Sequence, residues 1–253
     1  MIWTIIVVLV VVLLLLVIGV NMIQAHKEKL EAERRTEMAR QRAIIDETEE
    51  LLGYATKLPM SKVMLVMLHK RNNDALRTLR SVSKDNDSQR RVDDGENQLE
   101  NIEKTYQEPN EAHFSFPDSD KLALQYIQAL KKLRLVLRSE HTRGRVDTTA
   151  YVGEEKRLDR LQLKISVENS IKRALAAKVL RQFGTAREMV EKAEQILATV
   201  AQPDDYTIGR INDVARIGAE IQQEMRTATD VEAKRQAAVV DDLDVLFQPK
   251  KKW

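Results

Sequence analysis

The chain has 253 residues, of which 43% are hydrophobic, 32% charged and 4% aromatic, with a formal net charge of +2 and no cysteine. Near neutrality leaves no overall basic footprint for nucleic acid, and the missing cysteines exclude a disulfide framework, a thiolate metal site and a thiol nucleophile. Glycine and proline are scarce and no segment sustains the alternation of a β-strand, so the composition predicts an all-α fold.

The first element reads MIWTIIVVLVVVLLLLVIGV. Apart from Thr4, every residue from Ile2 to Ile18 is strongly apolar, and no charged side chain precedes His26. About 20 apolar residues cross a bilayer core as a helix, and lipid leaves backbone polar groups only the helix as a way to be satisfied. Residues 1–23 therefore read as a transmembrane signal anchor, with Trp3 at one interface. A cleaved leader would need a basic start and a small-x-small site, and the exit VNMIQAHKEK supplies no such site. Lys27, Lys29, Arg34, Arg35, Arg40 and Arg42 all follow the run and no lysine or arginine precedes it. The positive-inside rule then puts the N-terminus outside and the bulk in the cytoplasm. The absence of cysteine agrees with a reducing compartment.

Residues 24–57 read as a helical stalk continuous with the anchor. Met38, Gln41, Ile45, Thr48, Leu52 and Ala55 fall at heptad-like spacing. Two of them are polar, so packing on the chain's own domain is favoured over a coiled coil, and self-association through the stalk is the alternative. Residues 58–107 read as a helical segment with an acidic end. Pro59 suits a first helical turn. Met60, Met64, Leu65, Met67 and Leu68 read as core, with an adaptable Met-rich binding surface as the alternative. A further helix is expected from about Gln89 to Tyr106. Residues 108–118 carry two prolines and no periodicity and read as a loop.

Residues 119–240 read as a helical-hairpin domain. Ser119 or Asp120 caps a helix whose face is Leu122, Tyr126, Leu130, Leu133 and Leu137. A longer helix is expected from about Glu154 to Phe183, with Leu158, Leu161, Ile165, Leu175 and Val179 as its buried stripe. Gly184 would break it, Thr185 would cap the next helix, and a last helix would run from Asp205 to Val240. The pair ALAAKVLRQFG and TAREMVEKAEQIL resembles a tetratricopeptide-type hairpin, but no period near 34 residues recurs, which favours a generic αα-hairpin.

Charge comes in blocks: residues 57–91 and 121–145 are basic, 92–120 and 201–247 acidic. Opposed blocks are expected to pair within the fold. The stripe Lys131, Lys132, Arg134 and Arg138 is alternatively a surface for nucleic acid or anionic lipid. His26, His69, His113 and His141 lie in separate segments, and no P-loop, dinucleotide fingerprint or serine elbow occurs. No catalytic constellation, metal site or cofactor site is expected, and the reading is not that of an enzyme.

Residues 241–253, DDLDVLFQPKKKW, form a distinct tail. Leu243, Val245, Leu246 and Phe247 read either as a docked helix end or as a short partner-binding peptide. Lys250, Lys251, Lys252 and Trp253 would lie within reach of an anionic membrane surface, where each basic residue contributes about 1 kcal/mol. DLDVLF resembles the bacterial sliding-clamp-binding peptide, with Asp242 where that pattern has glutamine. LDVLFQP resembles a viral 3C protease recognition sequence, but Asp244 replaces its glutamate and Pro249 follows Gln248 directly.

The anchor and stalk, MIWTIIVVLVVVLLLLVIGVNMIQAHKEKLEAERR with RAIIDETEELL, resemble an uncharacterised family of single-pass inner-membrane proteins of Gram-negative bacteria. The resemblance covers about the first quarter of the chain. It implies the bacterial inner membrane and carries no function. The expectation is thus an all-α protein in which a transmembrane helix continues into a stalk and then a cytoplasmic helical bundle or short helical-hairpin array. Such an object suits a scaffold or adaptor with an unidentified protein partner. The alternatives are a DNA-associated factor and a periplasmic envelope protein of inverted topology.

Overall fold

The computed structural model describes the backbone of residues 2–83, 86–109 and 114–247, with side chains except at 2, 4–18, 83, 86–88 and 237–247. Among the described residues the chain is all-α. Its helices are α1 (Ile2–Leu52), α2 (Lys62–Ser83), α3 (Asn86–Thr105), α4 (Asp120–Thr142), α5 (Thr148–Val179), α6 (Phe183–Ala198) and α7 (Asp205–Phe247). Contacts divide the chain into two compact units, one of Met1–Phe114 with Leu135–Tyr151 and one of Ser115–Arg134 with Val152–Trp253.

In the first unit, α1 continues without a break from the apolar run into the stalk. Among the described residues no helix is long and apolar enough to cross a membrane. The run that carries the anchor expectation lies, except for Trp3, outside the described side chains. From Gly19 to Thr36 every residue of α1 is exposed, and burial of one face begins only at Glu37 and Met38. Of the heptad-like stripe, Ile45 and Thr48 are buried and Met38, Gln41, Leu52 and Ala55 half-buried, while Leu51, outside the stripe, is fully buried; Ile45 packs in one cluster with Ala75, Leu76 and Leu79 of α2 and Val92 of α3.

Ser61 caps α2, its hydroxyl accepting from the Met64 amide at 3.0 Å, so Pro59 stands just before the helix. Met60, Met64, Leu65, Met67 and Leu68 are core. Gly95 of α3 lets α2 approach closely. A Cβ there would lie 2.1 Å from Asn73 Oδ1. The basic block of α2 meets the acidic block that follows it: Lys70 pairs with Glu103, Arg77 with Glu96, and the Lys62 amide donates to Glu108.

The second unit is built around α5, α6 and α7. Val167, Ile171, Ala174 and Ala177 of α5 pack with Ala186, Met189, Val190, Ala193 and Leu197 of α6 and Val214, Ile217 and Ile221 of α7. Alanines at the crossings let the helices approach, and each buried CH₂ contributes about 0.8 kcal/mol. Ser119 caps α4 through the Leu122 amide. Asp204 caps α7, accepting from the Thr207 amide at 2.8 Å and the Thr207 hydroxyl at 2.6 Å.

Several boundaries and faces differ from the sequence reading. α5 begins at Thr148, capped by Asp147, whose carboxylate accepts from the Thr149 amide; Gly153 lies inside the helix. α5 ends at Val179, before Gly184, and α6 starts after Gln182 without a side-chain cap, so Thr185 is not its cap. Leu158, Leu161 and Ile165 are buried as expected, but Leu175 and Val179 are 40% and 82% exposed. The physical reason is that the second half of α5 turns a different face, Val167–Ile171–Ala174, toward α6 and α7. α7 extends to Phe247, past Val240.

Candidate functional site

Two features stand out, one in each unit. In the first unit a set of charges converges on Glu140, only 1% exposed near the end of α4. The local backbone explains how its partners are placed. Gly144 adopts φ +72°, its amide bonds His141 O, and the Arg145 amide bonds Glu140 O at 3.0 Å. This is a Schellman ending, in which glycine takes the left-handed position. The turn folds Arg143 and Arg145 back over the Glu140 carboxylate, with contacts of 3.2 and 3.0 Å. His141 closes the turn, its Nδ1 3.0 Å from Val146 O and its ring stacked on Tyr151.

From α2, Arg71 reaches the same carboxylate at 3.6 Å. Its other nitrogens donate to Thr48 Oγ1 at 2.8 Å and Glu47 Oε2 at 2.6 Å on α1. Its Nε makes no hydrogen bond, so the contact with Glu140 is Coulombic. Beside this cluster lies a cleft of about 420 Å³ lined by Met67, Asn73, Asp74, Glu96, Leu99 and Arg145 among others. Its charges are engaged with one another: Arg145 also pairs with Asp74, and Arg77 with both Asp74 and Glu96. Asn73 Oδ1 is buried without a hydrogen-bond partner and faces Gly95. The cleft lining holds Lys70, which pairs with Glu103, and no serine, threonine or histidine among the described residues. The arrangement ties α1, α2 and the end of α4 together.

In the second unit a groove of about 770 Å³ opens between the end of α5 and the latter part of α7. Leu175, Val179, Phe183 and Val231 give it an apolar lining, and Arg181 and Arg235 flank them. Lys178 bridges the walls, its Nζ 2.9 Å from Glu220 and 3.1 Å from Glu224; these hydrogen bonds raise its pKa and lower that of Glu220. At the other end of α7, Tyr206 and Arg210 both donate to Glu168 Oε1 on α5, at 2.9 and 2.7 Å. Burial, then the Glu168 charge, pushes the Tyr206 phenol well above its ordinary range.

The residues singled out in the sequence fall in different places. Arg134 is bound to Asp159 and touches Gln162; Lys131 is exposed and Lys132 half-buried in the second unit, and Arg138 is exposed in the first. Leu243, Val245, Leu246 and Phe247 belong to the last turns of α7, but their side chains lie outside the described residues, as do Lys250, Lys251, Lys252 and Trp253 altogether. The sequence reading missed the Arg71–Glu140 cluster and the groove. The legible signal for the first was a lone acid, Glu140, in the strongly basic stretch RSEHTRGR. Among the described residues no group of histidine and carboxylates is placed to hold a metal ion. Comparison of the chain with protein-family models, curated proteins and solved structures found no match.

Proposed function

We propose that the chain is a membrane-tethered helical scaffold or adaptor, crossing the bacterial inner membrane once, with its two units in the cytoplasm. The observation that carries this reading is the form of α1. It is one helix from Ile2 to Leu52, its first part is the apolar run, and from Gly19 to Thr36 it is exposed on every side. At 1.5 Å per residue the exposed stretch holds the run roughly 27 Å away from the point where packing begins. For an apolar segment continuous with a helix that is exposed on every side, lipid is the solvent that suits it.

The reading of the units as a scaffold rather than a DNA factor draws on the internal pairing of their charges. Lys70, Arg77, Arg91 and Arg134 each hold an acid of their own unit, so these positions are partly neutralised before any phosphate arrives. Nucleic-acid affinity depends on such cations being free to replace counterions. The experiment is fractionation at alkaline pH. The full chain stays with the membrane pellet, and a chain lacking residues 2–18 moves to the supernatant. A full chain released with the peripheral proteins contradicts the anchor. Steeply salt-dependent retention of the shortened chain on duplex DNA favours the DNA-associated alternative.

A further inference from the structure

α7 runs on past the bundle it packs into. Ile221 is its last buried residue among the described side chains, and from Gln222 to Gln236 every side chain is exposed except half-buried Ala228, while the helix continues to Phe247. Of the groove-lining residues of this overhang, Glu224, Ala228, Val231 and Arg235 follow one another at steps of four, three and four, with Thr227 and Glu232 beside them. They are thus one face of a helix. The sequence continues that face as Ala238, Asp242 and Val245, with Leu246 beside it.

We propose that the groove receives the C-terminal end of α7 from a second copy of the chain, the two α7 helices lying antiparallel about a two-fold axis. The argument is complementarity. The groove offers an apolar floor, Val231 at 66% and Val179 at 82% exposed, flanked by Arg181 and Arg235, neither of which makes an ion pair among the described residues. The chain's own end offers the converse, Asp241, Asp242 and Asp244 interleaved with Leu243, Val245, Leu246 and Phe247. A two-fold contact must be self-complementary, and this face is. An antiparallel register that sets Arg235 against Asp242 of the second copy also sets Val231 against its Leu246, because both lie one turn further out. The symmetry repeats each pair. Glu232, which also lines the groove, meets Val245 of the second copy in this register rather than an acid. An amphipathic helix laid in an apolar groove with charged flanks is a common mode of recognition. The inference concerns the second unit and does not rest on the membrane reading.

The test is sedimentation velocity of the full chain in detergent. The chain sediments as a dimer, and Arg235→Asp and Asp242→Arg each shift it to monomer. Mixing the two variants restores a dimer. In the mixed pair the introduced aspartate of one variant faces the introduced arginine of the other, and the unaltered Asp242 of the first faces the unaltered Arg235 of the second. The double variant also dimerises, since both of its pairs are reversed together. Recovery on mixing separates loss of the contact from failure to fold. A monomeric wild-type chain, a dimer indifferent to both reversals, or variants that stay monomeric when mixed overturns the proposal.

Discussion

Arg181 and Gly144 do the same work with different side chains. At the end of α5 the Arg181 amide bonds Lys178 O and the Gln182 amide bonds Ala177 O at 2.9 Å, the Schellman pattern seen at Gly144, but Arg181 holds φ 56° without being glycine. A left-handed conformation costs a residue with a Cβ roughly 1–2 kcal/mol, and glycine returns part of that through its freer unfolded chain. Arg181→Gly is expected to stabilise the protein by up to about 1 kcal/mol, read as a rise in melting temperature of about 2–4 °C. A fall would show that the Arg181 side chain contributes more than its backbone costs. Glu140 is the second residue-scale case. Arg71, 9% exposed, faces it but keeps its closer pair with Glu47, so Glu140→Ala removes one of two acids from a buried cation and is expected to cost about 1–3 kcal/mol in chemical denaturation. Arg71→Met with Glu140→Met removes both charges and is expected to cost less than Glu140→Ala alone.

The helices were legible where their signals are local. Ser119 caps α4 as its residue type suggests, and of the expected α4 face Tyr126, Leu130, Leu133 and Leu137 are buried while Leu122 is half-buried. The end of α5 was not legible, because a left-handed arginine carries no sequence mark and Gly184 does. Its start was missed because Gly153, at about 1 kcal/mol against alanine, is a cost a long helix absorbs. The change of buried face along α5 depends on which helix lies beside it, which periodicity alone cannot supply. The Asp204 cap yields a prediction for α7. Hydrogen bonds from the Thr207 side chain, then from its backbone, hold the Asp204 carboxyl below the ordinary aspartate range. A folded pKa below the unfolded one gives stability that is present above the unfolded value and lost as pH falls through the folded one. Asp204→Asn keeps an acceptor but cannot titrate, so its stability should fall less steeply than wild type as pH drops below about 4. Equal acid slopes in the two proteins would show that the cap contributes nothing to acid sensitivity.

At the scale of the whole molecule, the chain joins an apolar run, an exposed helical stretch and two packed units, each with ion pairs of its own. The central claim is that the run is a membrane anchor and the units are cytoplasmic. The absence of cysteine makes it directly testable with one introduced thiol at exposed Ala219. Ala219→Cys in the full chain, expressed in a Gram-negative host, is treated with a membrane-impermeant thiol reagent in spheroplasts before and after permeabilisation. The account predicts a membrane-bound chain that stays unlabelled in intact spheroplasts and labels once the membrane is opened. Labelling of the membrane-bound chain in intact spheroplasts would contradict it and put the units on the periplasmic side.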